Sequence, residues 1–222
     1  MGLYREKSIA DSTMKLLEKA NVSYALVDEV CCGSVALRTG DKKIAEELAK
    51  ENLEKIKQTG ADTVIFSCAG CLRTFTKDYP NFQDNNLKFL HSSQYFLKLI
   101  KEGKLKIKDG KNQKLTFHDP CHMGRHLKIY EEPRDIIKGL PNVEFVEMKR
   151  TKEDSRCCGA GGGVKSLFGD LAIAMANERI NDAKEVEADI IVSTCPFCKR
   201  NLKDASEIEV IDLSELLLQY SI

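Results

Sequence analysis

All nine cysteines of this 222-residue chain fall into one pattern used twice. The later copy reads Cys121, 35 residues, the adjacent pair Cys157-Cys158, 36 residues, then Cys195 and Cys198 in a Cys-x-x-Cys. The earlier copy reads Cys31-Cys32, 35 residues, then Cys68 and Cys71, with no single cysteine upstream. Adjacent thiols plus a distant Cys-x-x-Cys, repeated at nearly the same spacing, are hard to reconcile with core packing. Thiolates favour soft metals, iron in iron-sulfur clusters or zinc, so the pattern predicts metal sites and points toward electron transfer.

Composition narrows the setting. Acidic and basic residues balance at 34 each, which leaves no electrostatic footprint for nucleic acid or a membrane surface. No apolar run reaches the roughly 18 residues a membrane span needs. The polar start over residues 1–7 predicts a cytoplasmic location. In a reducing compartment such cysteines read as metal ligands or redox thiols rather than structural disulfides.

The two halves align. Gly60-Ala61-Asp62 leading to Cys68-Ala69-Gly70-Cys71 matches Glu187-Ala188-Asp189 leading to Cys195-Pro196-Phe197-Cys198, and Cys31-Cys32-Gly33 matches Cys157-Cys158-Gly159. Between each pair of anchors lies a charged helix, predicted over residues 42–58 and 168–186. Ile44, Leu48, Leu53 and Ile56 mark the apolar face of the first, and Leu171, Met175 and Ile180 that of the second. Short β-branched runs follow at 63–66 and 190–193 and read as buried parallel strands. Further strands are predicted at 24–27, 88–90, 115–118, 143–146 and 209–211, and helices at 5–20, 92–101, 133–139 and 214–220. The alternation defines an α/β fold of two pseudo-repeated lobes, each with a parallel sheet flanked by helices. Residues 1–110 form the first lobe and 111–222 the second, joined through the polar stretch 101–114 around Gly110.

In this layout each Cys-x-x-Cys follows a strand and opens a helix. It therefore sits at the carboxyl edge of a sheet, where open α/β folds present ligands, and helix N-termini favour thiolates and anionic clusters. Five thiolates in the later half, Cys121, Cys157, Cys158, Cys195 and Cys198, suit a cluster of unusual geometry, since a cubane needs four. The four thiolates of the earlier half would also close a tetrahedral zinc site. Two other readings stay open: buried free cysteines, and a redox dithiol at Cys195 and Cys198.

Gly159-Ala160-Gly161-Gly162-Gly163 follows the second cysteine pair and could offer a nest of N–H groups or serve as a plain loop. His118, His122 and His126 cluster around Cys121, as candidates to protonate a substrate, to hydrogen-bond a cluster sulfur, or only to satisfy backbone groups. Arg125 and Arg156 stand nearby as counter-charges or surface arginines.

His118-Asp119-Pro120-Cys121-His122-Met123-Gly124-Arg125-His126, followed by Glu131-Glu132-Pro133-Arg134-Asp135, resembles the CCG, or cysteine-rich, domain of iron-sulfur proteins related to the D- and B-type chains of heterodisulfide reductase. Cys157-Cys158-Gly159-Ala160-Gly161-Gly162-Gly163 and Cys195-Pro196-Phe197-Cys198 carry the same resemblance over essentially the whole chain. It implies two domains, each holding a non-cubane 4Fe-4S cluster through five cysteines. A disulfide substrate would be reduced between them with electrons from a ferredoxin or flavoprotein partner. Similar modules occur in glycolate and lactate oxidation systems, which gives an alternative with a small organic substrate. A zinc-stabilised, non-catalytic assembly module is the other. The earlier set, Cys31, Cys32, Cys68 and Cys71, lacks its fifth member, expected about where Met1 stands. Either the chain begins just after it, or that site holds zinc, a depleted cluster or nothing. No ferredoxin region like that of the D-type relatives is visible, so electrons are expected from a partner protein.

Overall fold

The computed structural model describes residues 5–82 and 86–222. The position expected for the missing cysteine, about Met1, lies outside the described residues. In chain order the first half runs α1 (Lys7–Lys19), α2 (Ser34–Thr39), α3 (Lys42–Gln58), β1 (Thr63–Phe66), α4 (Ala69–Lys77), β2 (Lys88–His91) and α5 (Ser92–Lys101). The second runs β3 (Gln113–Phe117), α6 (Gly124–Leu127), α7 (Glu131–Lys138), β4 (Val143–Phe145), α8 (Val164–Leu167), α9 (Gly169–Glu185), β5 (Ile190–Ser193), α10 (Pro196–Asp204), β6 (Glu209–Asp212) and α11 (Leu213–Gln219).

Every strand pair is parallel, β1 beside β2 in one sheet and β4-β3-β5-β6 in the other, so the expected α/β architecture is present. Successive strand residues face opposite sides, and both sides of β5 are buried. Ile190, Val192 and Ile211 face a central core, while Ile191 and Val210 face α9 and α10. On the small sheet, Ile65 turns to the same central core, and Val64 and Phe66 turn to α3 and α4.

The central core is filled by α1, α5, α7 and α11, which lie between the two sheets. Their partners are exchanged: α1 of the first half packs on α11 of the second, and α5 of the first packs on α7 of the second. Lys199, buried beside Cys198, fastens the start of α1 through Glu6 (3.1 Å) and Ser8 (3.2 Å) and α11 through Glu215 (2.8 Å). The helices leaving the last strand of each half begin alike, with capping boxes built by His91 and Gln94 on α5 and by Asp212 and Glu215 on α11.

Three expectations change. Residues 24–27 form no strand; Tyr24 and Leu26 are exposed, and Tyr24 Oη donates to Glu18 (3.1 Å). In the second sheet β3 pairs with both β4 and β5, whereas no counterpart of β3 stands beside β1 among the described residues. The segment has no ladder to join. Second, Ile44 and Leu171 point to solvent, and alanines build the buried stripes: Ala45, Ala49, Leu53 and Ile56 on α3, and Ala172, Ala176, Ile180 and Ala183 on α9. Third, the polar connection 101–114 is stitched to the chain's end. Ile107 bridges Ser221, Lys108 N–H donates to Tyr220 O (2.8 Å), and the Tyr220 ring covers Gly110.

Candidate metal centre

The Cys-x-x-Cys pairs take their positions from the strand–helix junctions. Cys68 and Cys195 are extended N-cap residues directly beyond β1 and β5, and Cys71 and Cys198 sit in the first turns of α4 and α10. Pro196 at the first helical position presets the turn after Cys195. The adjacent pairs arrive on loops held by glycine. Gly33 (φ +78°) and Gly159 (φ +85°) adopt left-handed backbone and press against Ala45 and Ala172. A Cβ at Gly159 would stand 2.5 Å from Ala172 O, so only glycine fits there.

Buried amides clamp the same loops. Asn52 donates to Cys31 O (3.2 Å) and accepts from Val30 N–H (3.2 Å), while Tyr79 Oη donates to Cys32 O (3.2 Å). In the second half Asn201 donates to the carbonyls of Cys158 and Ala172. The loop bearing Cys121 is anchored through Asp119, which takes a two-pronged ion pair from fully buried Arg134 (2.7 and 2.8 Å) and an N–H from Lys152 (2.9 Å).

All nine cysteines are free, with Cys158, Cys195 and Cys198 buried and Cys31 exposed. Their thiols form one unbroken line. Cys31 adjoins Cys32, Cys32 adjoins Cys71, and Cys71 adjoins Cys68. Cys68 then meets Cys195, which leads through Cys198, Cys158 and Cys157 to Cys121. The structure thus brings together both predicted sets and joins them at Cys68 and Cys195. Within the line, the neighbouring thiols of Cys31 and Cys71 hold Cys32, and those of Cys121 and Cys158 hold Cys157, below the ordinary thiol range. Closeness to those two sulfurs, together with burial, pushes Cys31, Cys71, Cys121 and Cys158 upward. Gly159 N–H also donates to Cys157 Sγ (3.4 Å). So many ionisable sulfurs in contact must share protons or be neutralised by a cation, and a soft metal displaces the protons.

The histidines separate by position. His118, at the end of β3, is buried; a ring nitrogen of His118 and the sulfurs of Cys158 and Cys198 lie within 4.8 Å of one another. Burial, and then Arg179, lower its pKa to about 3. His122 lies against the opposite half: a Cβ at Gly70 would stand 3.3 Å from His122 Nδ1 and 3.7 Å from Cys68 Sγ. Its ring lies 4.9 Å from that of exposed His126, the two planes tilted by 60°. The glycine run divides, Gly159 packing on α9 while Gly161 and Gly162 are exposed. Arg125 donates to the carbonyls of Glu153 (3.1 Å) and Ser155 (2.6 Å), and Arg156 pairs with Glu178 and Asp182 (3.2 Å each). Both arginines brace the approach to Cys157.

Sequence reasoning passed over His91, Asn52, Asn201 and Arg179. Ser93 N–H donates to His91 Nδ1 (3.1 Å), so the ring's proton is on Nε2, which donates to Thr194 O (3.0 Å) one residue before Cys195. One signal was available for two of the others. Asn52 and Arg179 occupy the same place in the repeat, seven residues beyond Ala45 and Ala172, as polar residues inside apolar stripes.

Fold and site define a class: an α/β protein that gathers cysteines from both halves at the carboxyl ends of parallel strands. A family model described as a cysteine-rich domain, CCG, matches residues 1–76 and 115–203, and the chain belongs to that family. The D-subunit of dihydromethanophenazine:CoB–CoM heterodisulfide reductase from Methanosarcina barkeri is 43% identical, across 97% of this chain and 56% of that protein. The B-subunit of the CoM/CoB fumarate reductase from Methanothermobacter marburgensis is 34% identical, over 96% of this chain and 43% of its own length. The EtfAB:quinone oxidoreductase of Syntrophomonas wolfei is 32% identical over 96% of this chain and 32% of its length. The chain thus spans little more than half the length of the heterodisulfide reductase relative, and less of the other two. Glutamate racemase from Francisella tularensis aligns loosely over 95% of this chain and 72% of its own, at 15% identity and a TM-score of 0.40. Among the described residues no helix is long and apolar enough to cross a membrane.

Proposed function

We propose that the chain is the cysteine-rich part of an iron-sulfur oxidoreductase of heterodisulfide reductase type, delivering electrons from a partner protein to a disulfide. The relatives' names and the family membership support the class. The observation that carries the reading is the packing of Cys68 against the buried cluster that holds Cys195, which makes the two cysteine sets one sulfur-lined path. Residues 1–110 and 111–222 would then be two cysteine-rich domains facing each other across that contact.

An iron-sulfur cluster fits the donor set. The later half offers five clustered thiols, one more than a tetrahedral zinc site can use, and the buried Nε2 of His118 lacks a partner beside them. Cys121, Cys157, Cys158, Cys195 and Cys198 would hold this cluster, and Cys31, Cys32, Cys68 and Cys71 would hold a second metal group. When bound, a cluster supplies single electrons and a soft site for sulfur. Reduction of a disulfide to two thiols takes up two electrons and two protons. His122 is placed to pass a proton through Nδ1, since it borders Gly70 and Cys68 from the opposite half. His126, beside it and exposed, connects that position to solvent. Asp119, Arg134, Asn52 and Asn201 keep the cysteine loops in place.

The test is anaerobic reconstitution followed by iron and sulfide counting, EPR, and electron transfer from a reduced viologen to a mixed thiol disulfide. Four or more irons per chain with disulfide reduction is the expected result. Fewer than about three irons would defeat a four-iron site, and stoichiometric zinc in its place would favour the assembly-module alternative.

A further inference from the structure

His118 has the position of a metal ligand and the hydrogen bonding of something else. Its ring is 1% exposed and stands with Cys158 and Cys198 inside a sphere that would suit a small metal site. Nδ1 of the ring is taken by Arg179, whose Nε–H donates to it at 3.2 Å. Arg179 is itself completely buried and fixed by three further acceptors: Arg150 O (2.7 Å), Asp182 Oδ2 (3.1 Å) and Phe117 O (3.4 Å).

The guanidinium can only donate. Nδ1 must therefore present its lone pair, and a neutral imidazole then carries its one proton on Nε2. A neutral imidazole bound to metal through Nε2 would carry that proton on Nδ1, pointed at the Arg179 N–H. Arg179 excludes that arrangement. What remains is an Nε2–H donor, buried and without a protein acceptor, on a ring that stands beside the thiols of Cys158 and Cys198. Its natural acceptors are a thiolate or sulfide sulfur.

We infer that His118 is a fixed hydrogen-bond donor to a sulfur of the metal group held by the later half and not one of its ligands, with Arg179 as the residue that locks the proton on Nε2. The inference rests on the iron-sulfur reading proposed above. Donation to sulfur stabilises the more negative, reduced state, so His118 raises the reduction potential of that group. In the earlier half Asn52 takes the place of Arg179 and clamps Cys31 instead. The two groups would accordingly differ in potential, the one in the later half lying higher.

Two measurements test this on the full chain. Nitrogen NMR of the metal-free protein should find the His118 proton on Nε2 in wild type; a proton on Nδ1 overturns the inference whatever the metal content. After anaerobic reconstitution, EPR-monitored redox titration should show a lower midpoint in His118→Phe at unchanged iron per chain, with His118→Gln, which keeps an N–H, returning toward wild type. Full iron with an unmoved midpoint in His118→Phe defeats the donor role alone. Loss of iron from His118→Gln, folded by circular dichroism, shows a ligand and overturns it too. A wild-type chain that takes up no iron defeats the iron-sulfur reading, and the donor role falls with it.

Discussion

Cys68 and Cys195, the N-cap residues of corresponding helices in the two halves, meet at the point where the two cysteine sets join. Each follows a parallel strand, and both strands pack on the core that the central helices fill. The contact is therefore a property of the fold and not of flexible loops.

Replacing Cys195 by Ser should remove about four irons per chain, the content of one cluster. The fold should survive, since serine preserves the volume and the extended N-cap backbone. Iron counting and circular dichroism on the same sample check this. Retention of all iron would rule Cys195 out as a ligand.

Gly159→Ala should cost about 2–3 kcal/mol, because a side chain at φ +85° both strains the backbone and collides with Ala172 O. Urea denaturation measures the loss. Gly161→Ala, where a Cβ meets nothing within 4 Å and φ is not positive, is the matched control and should be nearly neutral.

Arg134→Met should destabilise the protein by about 3–5 kcal/mol, since it leaves Asp119 buried with its main counter-charge gone. Arg134→Lys keeps the charge but cannot reproduce both prongs, and should recover only part of the loss. Because Asp119 precedes Pro120 and Cys121, iron retention should fall with stability across the series.

His91 gives a pH signature. Burial lowers its pKa from 6.5 to about 4 in the folded chain. Below pH 6.5 the unfolded chain takes up a proton that the folded chain refuses. The contribution of the neutral ring is thus whole above that pH and is lost as pH falls through about 4. The loss approaches about 3 kcal/mol. His91→Asn, which can still cap α5, should flatten the slope of urea stability between pH 6.5 and 4.5; an unchanged slope would remove His91 as its source.

Much of this was legible because the repeat speaks twice. The strands at 63–66 and 190–193 coincide with β1 and β5, and the helix at 42–58 with α3. The segment 24–27 has β-branched and aromatic residues like those strands, yet pairing depends on a neighbour that composition cannot reveal. Ile44 and Leu171 misled for another reason: close helix packing favours small residues at the start of each helix, so Ala45 and Ala172 take the buried positions and their larger neighbours stay outside. The cysteines announced the metal chemistry, whereas Cys68 meeting Cys195 depends on how α1, α5, α7 and α11 stack. Arg179 was hidden by its charge, which suggests a solvent-facing position on a helix that in fact buries it.

The crossed pairing of α1 with α11 and α5 with α7 means that neither half owns a complete interior. Leu16, Leu17, Phe96 and Leu99 would lie bare on a fragment ending near residue 101, as would Ile136, Ile137, Leu216 and Leu217 on the remainder. A protease nick in the 101–112 connection should therefore leave a nicked molecule that travels as one particle, and co-expressed pieces should find each other where either piece alone precipitates.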